Sequence, residues 1–158
     1  MKNPIREQLL KNSTLFIFGF CMYITVEVLF RGYSYAAMGL LGGLCMCLIG
    51  GINNYISWDM TLLGQMTLGA SIITFLELIV GITDKYYWHI GMWDYSYMPL
   101  NFQGVICVPF FFAWMFLSFF AIILSDAIEY YVFHEKQRPY YRGISGKILF
   151  WLPIRECV

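Results

Sequence analysis

Residues 60–82 read MTLLGQMTLGASIITFLELIVGI, and the only ionisable side chain in this apolar run is Glu77. About 20 mostly apolar residues span a bilayer as a helix, so the run predicts a transmembrane segment. Placing an ionisable side chain at membrane depth costs roughly 2.5–3.5 kcal/mol on insertion scales, so a residue of this kind usually has a functional role. Glu27 lies in a similar position near the end of an earlier apolar run, residues 13–30. We therefore expect the two glutamates to mark the functional region.

The composition of the chain is that of a membrane protein. Of its 158 residues, 59% are hydrophobic and 13% are charged, whereas soluble domains carry about 25% charged residues. The formal net charge is zero, which gives no reason to expect a nucleic-acid partner. No segment is long and polar enough for a separate soluble domain, so residues 1–158 are predicted to form a single membrane domain.

Four segments are long and apolar enough to cross a membrane: residues 13–30, 35–56, 61–82 and 105–125. They predict an all-α, integral membrane four-helix bundle with membrane lipid around it. The first segment has the basic flank of a signal peptide but no small-residue cleavage site, so we interpret it as a helix. Residues 130–158 are predicted to form a cytoplasmic interfacial tail, whose basic residues fit anionic lipid and a cytosolic partner equally well.

Lysine and arginine residues are concentrated on one side of the predicted bundle. Arg31 and Lys85 lie on the other side. Because positive charge marks the cytoplasmic side, both termini are predicted to be cytoplasmic in a multi-pass protein of the cell membrane. At a rise of about 1.5 Å per residue, Glu27 and Glu77 then lie at matching depth near the outer surface. The basic residues on the side of the termini are Lys2, Arg6, Lys11, Lys136, Arg138, Arg142, Lys147 and Arg155.

Residues that recur at helical spacing give the segments predicted inward faces. Glu27 and Arg31 are four residues apart and therefore share a face. Small residues at positions 39, 43, 47 and 51 form a stripe that favours helix–helix contact, and we expect this stripe to serve self-association. The predicted polar face of the third segment consists of Thr67, Ala70, Ser71, Thr74 and Glu77.

Other polar and sulfur-containing residues are expected to be structural. Asp126 and Glu129 fall at the cytoplasmic interface, where we expect exposure or pairing with Lys136 or Arg138. The cysteines show no metal-ligand or redox spacing, and we expect them to pack as small hydrophobic residues. The sequence thus indicates no catalytic residues, no cofactor and no metal, and we expect that the protein is not an enzyme. The cysteines are Cys21, Cys45, Cys47, Cys107 and Cys157.

Residues 83–104, TDKYYWHIGMWDYSYMPLNFQG, form the outer connection between the third and fourth segments. The Trp and Tyr residues are typical of an aromatic belt at the headgroup level. A belt does not explain the polar residues among them, so we expect the connection to fold back over the helix ends. We predict a polar pocket with a charged floor of Glu27, Arg31 and Glu77. Its lid is shaped by Asp94, Ser96 and Asn101, of which Asp94 and Ser96 are favoured as braces of the loop.

Part of this connection and the first segment carry a set of residues with a recognisable spacing: Glu27, Arg31-Gly32, Glu77, Trp93-Asp94-Tyr95-Ser96, Asn101, Gly104, Ile106-Cys107 and Trp114. This set resembles the signature of the CmpB-like ABC-transporter type IV family of membrane proteins, and the resemblance covers residues 18–114. It implies a role in transport. The family usually has Arg where this chain has Val105, and a Pro-rich segment where this chain has residues 33–38.

We therefore expect a transport component, a permease-like subunit or small transporter that works as a homo-oligomer. The chain has no G-x-x-x-x-G-K-[ST] sequence, so an ATPase would be a separate subunit. The first alternative is a non-transporting scaffold or sensor whose outer pocket binds a lipid or a protein partner. The second is an intramembrane enzyme, which no metal or nucleophile constellation supports.

Overall fold

The computed structural model describes residues 4–134 and 137–155. Within these residues, four helices are long and apolar enough to cross a membrane: Ile5–Arg31, Ala36–Tyr55, Leu62–Trp88 and Val108–Val132. The predicted all-α architecture of four membrane helices is confirmed. The side of the membrane that each end faces stays a prediction, and two of its supporting residues, Lys2 and Lys136, lie outside the described residues. The same applies to Cys157.

Each long helix begins or ends somewhat away from its predicted bounds. The first helix begins at Pro4 instead of residue 13, and the second is divided at Gly51. π-helical turns over Asp84–Trp88 and Ile128–Val132 extend the third and fourth membrane helices. In chain order the α-helices are α1 Pro4–Arg31, α2 Ala36–Gly50, α3 Ile52–Tyr55, α4 Leu62–Thr83 and α5 Val108–Ala127.

The long helices form two antiparallel pairs, α1 with α2 and α4 with α5, and α2 joins the pairs. Glycines allow the close approach of α1 and α2. A Cβ at Gly42 would lie 2.5 Å from Tyr23 Cβ, and one at Gly43 would lie 2.8 Å from the carbonyl oxygen of Phe16. The small-residue stripe on α2 is thus occupied by α1 of the same chain. Self-association would have to use a different surface.

One end of the bundle, here called the loop end, carries residues 89–107. These residues fold back over the helices, and β1 (Asn101–Phe102) pairs antiparallel with β2 (Ile106–Cys107). Contacts of β2 with α4 and α5 place this loop against the helix ends.

The opposite end, here called the hairpin end, carries the residues predicted as an interfacial tail. They form a hairpin of β3 (Tyr140–Arg142) and β4 (Ile148–Trp151). Tyr141 is fully buried, and Arg142 forms an ion pair with Asp59, with 2.7 Å between guanidinium nitrogen and carboxylate oxygen. Part of the tail thus belongs to the packed fold.

Apolar side chains fill the interior and also cover the outside. The interior lies where α2, α4 and α5 meet and includes Leu41, Ile49, Ile73 and Ile122. An outer surface of this kind suits contact with lipid chains, which are as apolar as the side chains themselves. Exposed examples on the membrane helices are Ile17, Met22, Leu40, Leu44, Phe75, Ile79, Phe112, Phe116 and Phe120.

Candidate functional site

Glu77 is buried near the loop end of α4, with 2% of its surface exposed. Its carboxylate accepts a hydrogen bond of 2.7 Å from Trp114 Nε1 and a longer one of 3.4 Å from the Tyr95 hydroxyl. Both donors are neutral, and no cationic partner lies within ion-pair distance in the described part of the chain. Glu77 is therefore a carboxylate held inside the bundle by aromatic side chains.

The two donors are themselves fixed by packing. The Tyr95 ring stacks on Phe110 at a centroid distance of 4.4 Å, and Phe110 contacts Trp114 at 6.0 Å. Burial, followed by the charge of Glu77, raises the pKa of the Tyr95 phenol above its ordinary value. The phenol consequently keeps its proton at physiological pH and remains a donor to Glu77.

Glu27 has a different set of partners. Its carboxylate forms an ion pair of 2.8 Å with Arg31, as the four-residue spacing indicates, and accepts a hydrogen bond from Ser34. Arg31 also donates to the carbonyl oxygen of Met92, at 2.9 Å. The pair thus connects the end of α1 to the loop.

The predicted floor residues are consequently divided between two groups. Glu27 and Arg31 neutralise each other, whereas Glu77 bonds to Trp114 and Tyr95. Tyr23 lies close enough to interact electrostatically with both glutamates, so the groups are neighbours.

The predicted lid residues bond within the loop. Asp94 accepts from the amide of Ser96 at 2.8 Å, and the side chain of Asn101 donates to the carbonyl oxygens of Ser96 and Met98. Asn101 also accepts from the amide of Gly104, whose φ is +72°. A Cβ at Gly104 would lie 2.9 Å from Asp94 Oδ1. The geometry agrees with the favoured bracing role of Asp94 and Ser96.

Sequence reasoning missed a second buried acid at the loop end, Asp84. Its carboxylate accepts from the amides of Ile90 and Met92, at 2.9 and 2.8 Å. Its carbonyl oxygen accepts from the amide of His89, whose φ is +55°. Asp84 therefore fixes the turn from α4 into the loop. The sequence did contain a signal for Asp84: an acidic residue directly after an apolar run and six to eight residues before a glycine-containing turn.

Val105, where the resembling family usually has Arg, packs into the bundle. A Cβ at Gly81 would overlap with the Val105 side chain, and Trp93 donates to the carbonyl oxygen of Val105 at 2.8 Å. Gly81 lies one helical turn after Glu77. Val105 thus places an apolar side chain beside the Glu77 face of α4.

The hairpin end contains a polar cluster around Asp126 and Glu129, for which the sequence predicted exposure or pairing with Lys136 or Arg138. Both acids are buried, so the predicted exposure is wrong. Asp126 accepts from Asn53 Nδ2 and from the Tyr141 hydroxyl, both at 2.8 Å, and Glu129 forms an ion pair of 2.9 Å with Lys11. Lys136, one of the predicted partners, lies outside the described residues, and Arg138 donates to the carbonyl oxygen of Leu152.

A cavity of about 120 Å³ adjoins this cluster. Its wall combines two buried acids with aromatic and amide side chains. A polar cavity therefore lies at the hairpin end, whereas the polar pocket predicted at the loop end stays a prediction. The lining residues are Asn54, Trp58, Asp126, Glu129, Tyr130, Gln137 and Pro139.

The cysteines and potential metal ligands are dispersed. Cys45 and Cys107 are buried and Cys21 is exposed, all as free thiols. Among the described residues, no group of three or more His, Cys, Asp and Glu side chains is placed to hold a metal ion.

Fold and site together define a multi-pass helical membrane protein with acidic side chains buried near both ends of its bundle. A family model described as "Putative ABC-transporter type IV" matches residues 1–154, nearly the whole chain. The chain belongs to this family, which confirms the resemblance seen in residues 18–114. Neither a curated protein nor a solved structure matches the chain.

Proposed function

We propose that the protein is a membrane-embedded component of a transport system and that Glu77 is its proton-exchanging site. One observation carries the proposal: a carboxylate with 2% exposure lies inside a membrane helix and receives only neutral hydrogen-bond donors among the described residues. The name of the family supports a connection with transport. An ATPase, if this system uses one, is a separate subunit.

The physical reason is the cost of an isolated charge in an apolar interior. A buried carboxylate needs a compensating positive charge, and without one a proton neutralises it most readily. Hydrogen bonds from Trp114 and Tyr95 hold the two carboxylate oxygens in place without supplying a positive charge. Acidic residues in such positions mark proton relays in pumps and transporters.

Glu27 and Arg31 have a supporting role in this proposal. Their charges cancel, and Arg31 ties the loop to α1 through Met92. In the predicted topology this pair lies near the outer surface, and it keeps the loop in place above Glu77. The permease-like subunit or small transporter expected from the sequence has this loop on its outer side.

Proton flux into proteoliposomes tests the proposal. Liposomes with a pH-sensitive dye inside would carry an imposed K⁺ diffusion potential. We expect flux with the wild-type protein and its loss in Glu77→Gln, with helix content and thermal unfolding unchanged. Glu7→Gln is the matched control, because it makes the same change at an exposed glutamate of α1. Equal flux in wild type, Glu77→Gln and protein-free liposomes would contradict a proton-exchanging site.

A second candidate is a non-transporting scaffold or sensor that binds a lipid or protein partner at the loop end. It is favoured by apolar and aromatic side chains that the loop end exposes: Tyr87, Trp88, Tyr97, Leu100 and Phe102. Purification in mild detergent with identification of the bound lipid or protein tests this candidate. Tyr97→Ser with Leu100→Ser should then release the partner, whereas an undiminished amount of bound partner would count against this candidate.

A further inference from the structure

The cavity at the hairpin end has a buried carboxylate in its wall. Asp126 has 4% of its surface exposed and lines this cavity of about 120 Å³ together with Trp58 and Tyr130. At about 30 Å³ per water molecule, the cavity has room for about four waters, or for a ligand of about four non-hydrogen atoms. It lies at the opposite end of the bundle from Glu77 and is no part of the site proposed above.

One oxygen of the Asp126 carboxylate has no partner. Asn53 Nδ2 and the Tyr141 hydroxyl both donate to Oδ2, at 2.8 Å. Oδ1 accepts no hydrogen bond from the described residues. An ionised carboxylate accepts on both oxygens, and Asp126 is enclosed by protein except where it lines the cavity. The cavity is therefore the place from which a donor reaches Oδ1.

The charge of Asp126 is also uncompensated. Its two donors are neutral, and no cationic side chain lies within ion-pair distance of it in the part of the chain that the structure describes. The neighbouring acid, Glu129, has Lys11 as its counter-charge, at 2.9 Å. A buried charge is costly unless it is paired. A cation with N–H donors would satisfy both requirements of Asp126.

Asp126 differs in this respect from Glu77. Each oxygen of Glu77 has its own donor, Tyr95 on Oε1 and Trp114 on Oε2. Both donors to Asp126 fall on the same oxygen, and a cavity adjoins the carboxylate. A proton is thus enough for Glu77, whereas Asp126 has an acceptor and a space for something larger.

The rest of the cavity wall suits a small organic cation. An indole ring attracts cations more strongly than the other aromatic side chains, and Trp58 supplies one. The Tyr130 ring already has the Arg155 guanidinium over it, at 5.0 Å from the ring centroid. Amide side chains of Asn54 and Gln137 complete the polar part of the wall.

We propose that this cavity binds the primary ammonium group of a small amine. The ammonium group has three N–H donors, and one of them forms a charge-assisted hydrogen bond to Asp126 Oδ1. The carbon stem of the amine lies against Trp58. A free amine and the headgroup of phosphatidylethanolamine both carry this group. The site does not depend on proton exchange at Glu77.

Three ligands of similar size test the proposal on the wild-type protein in detergent at neutral pH. Ethanolammonium has the charge and the N–H donors, tetramethylammonium has the charge alone, and ethylene glycol has neither. The indole N–H signal of Trp58, assigned with Trp58→Phe, reports binding by nuclear magnetic resonance. We expect a saturable shift with ethanolammonium and an affinity lower by about ten-fold or more for the other two. No saturable shift, or an equal response to all three or to Na⁺, would overturn the proposal.

Asp126→Asn removes the charge and keeps an oxygen acceptor for Asn53 and Tyr141. It should weaken ethanolammonium binding by about ten-fold or more. Glu7→Gln is the control, because it removes the same charge from an exposed residue near the start of α1, and it should bind as the wild type does. Equal affinity in the two variants would contradict the site. The three-ligand comparison stays decisive if Asp126→Asn folds poorly.

Lys136 lies outside the described residues and has an ammonium group of its own, so Lys136→Gln is measured in parallel. Ethanolammonium binding that appears only in Lys136→Gln would overturn the proposal, because the site would then belong to a lysine of this chain.

Nanodiscs of phosphatidylcholine with and without phosphatidylethanolamine distinguish the two sources of the ammonium group. A Trp58 shift caused by phosphatidylethanolamine alone identifies the lipid headgroup, and a shift only after addition of ethanolammonium identifies a free amine; both support the site. No shift from either source would overturn it. Because proton flux is not the readout, failure of this site leaves the proposed function of Glu77 standing.

Discussion

The two glutamates show how similar residues in similar sequence positions acquire different roles. Glu27 has a cation four residues away, and the ion pair follows from the helical period alone. The partners of Glu77 come from residue 95 in the loop and residue 114 in α5. Sequence alone placed both acids near one end of the bundle, but the donors to Glu77 depend on tertiary packing that spacing does not reveal.

The two donors to Glu77 are expected to contribute unequally to stability. Trp114→Phe removes the bond of 2.7 Å and leaves a buried acceptor, which should cost about 2 kcal/mol. Tyr95→Phe removes the bond of 3.4 Å and keeps the ring stacked on Phe110, so a loss of about 1 kcal/mol is expected. The free energy of unfolding in detergent compares the variants. A larger loss for Tyr95→Phe would show that the shorter bond is not the stronger.

We predict that the hydrogen bonding of the loop depends on pH through the carboxyl group of Asp94. Hydrogen bonds from the Ser96 side chain and then its amide hold the pKa of Asp94 below its ordinary value of 3.8. A carboxyl with a lowered pKa stabilises the fold fully above its unfolded-state pKa, and this stabilisation is lost as pH falls through the folded-state pKa. The chemical shift of the Ser96 amide should therefore titrate below pH 3.8. Asp94→Asn should abolish the transition, and a midpoint above 3.8 would contradict the geometry.

At the scale of the helix, the inward face of α4 was only partly predictable. The sequence interpretation chose a face with Thr67 and Ser71, yet both side chains are exposed. Their hydroxyls donate to the carbonyl oxygens of Leu63 and Thr67 in the same helix, at 2.8 Å, so they need no partner across the bundle. The buried polar residue is Gln65. Polarity alone therefore does not identify the inward face of a membrane helix.

Helix glycines are expected to tolerate substitution only where the neighbouring atoms can move. Gly43→Ala on α2 places a methyl group 2.8 Å from the carbonyl oxygen of Phe16, so α1 and α2 must separate. Gly64→Ala on α4 is the control, because its nearest neighbours are side-chain atoms, the flexible end of Met60 and the Thr61 hydroxyl, both at 3.1 Å. We expect Gly43→Ala to lower the thermal unfolding temperature, and Gly64→Ala to leave it unchanged or raise it slightly. Equal effects would indicate that the close α1–α2 contact is unimportant.

For the whole molecule, the number of helices followed from hydrophobic length, whereas the structure of the hairpin end did not follow from any sequence pattern. Its polar cluster brings together residues from α1, α3, the end of α5 and β3, including Lys11, Asn53, Asp126 and Tyr141. The spacing of residues within one helix or strand does not predict contacts among residues of four different elements. Asp126 and Glu129, near the end of an apolar run, were therefore expected to be exposed or paired with Lys136 or Arg138.

The orientation of the bundle is testable with single cysteines in a cysteine-free background. Ile56 and Ile90 are exposed at opposite ends of the bundle, and the excess of Lys and Arg predicts that residue 90 is outside. A membrane-impermeant thiol reagent added to intact cells should modify Ile90→Cys and not Ile56→Cys. Detergent permeabilisation should make both reactive, and the reverse pattern would invert the topology.

The bond between Tyr141 and Asp126 also affects how the protein is made. Ribosomes synthesise from the amino terminus, so Asp126 is made before Tyr141. Until Tyr141 follows, the carboxylate lacks one of its two native donors. The contact between β3 and the end of α5 therefore cannot form before α5 is complete, and Asp126 acquires its full set of donors only late in synthesis.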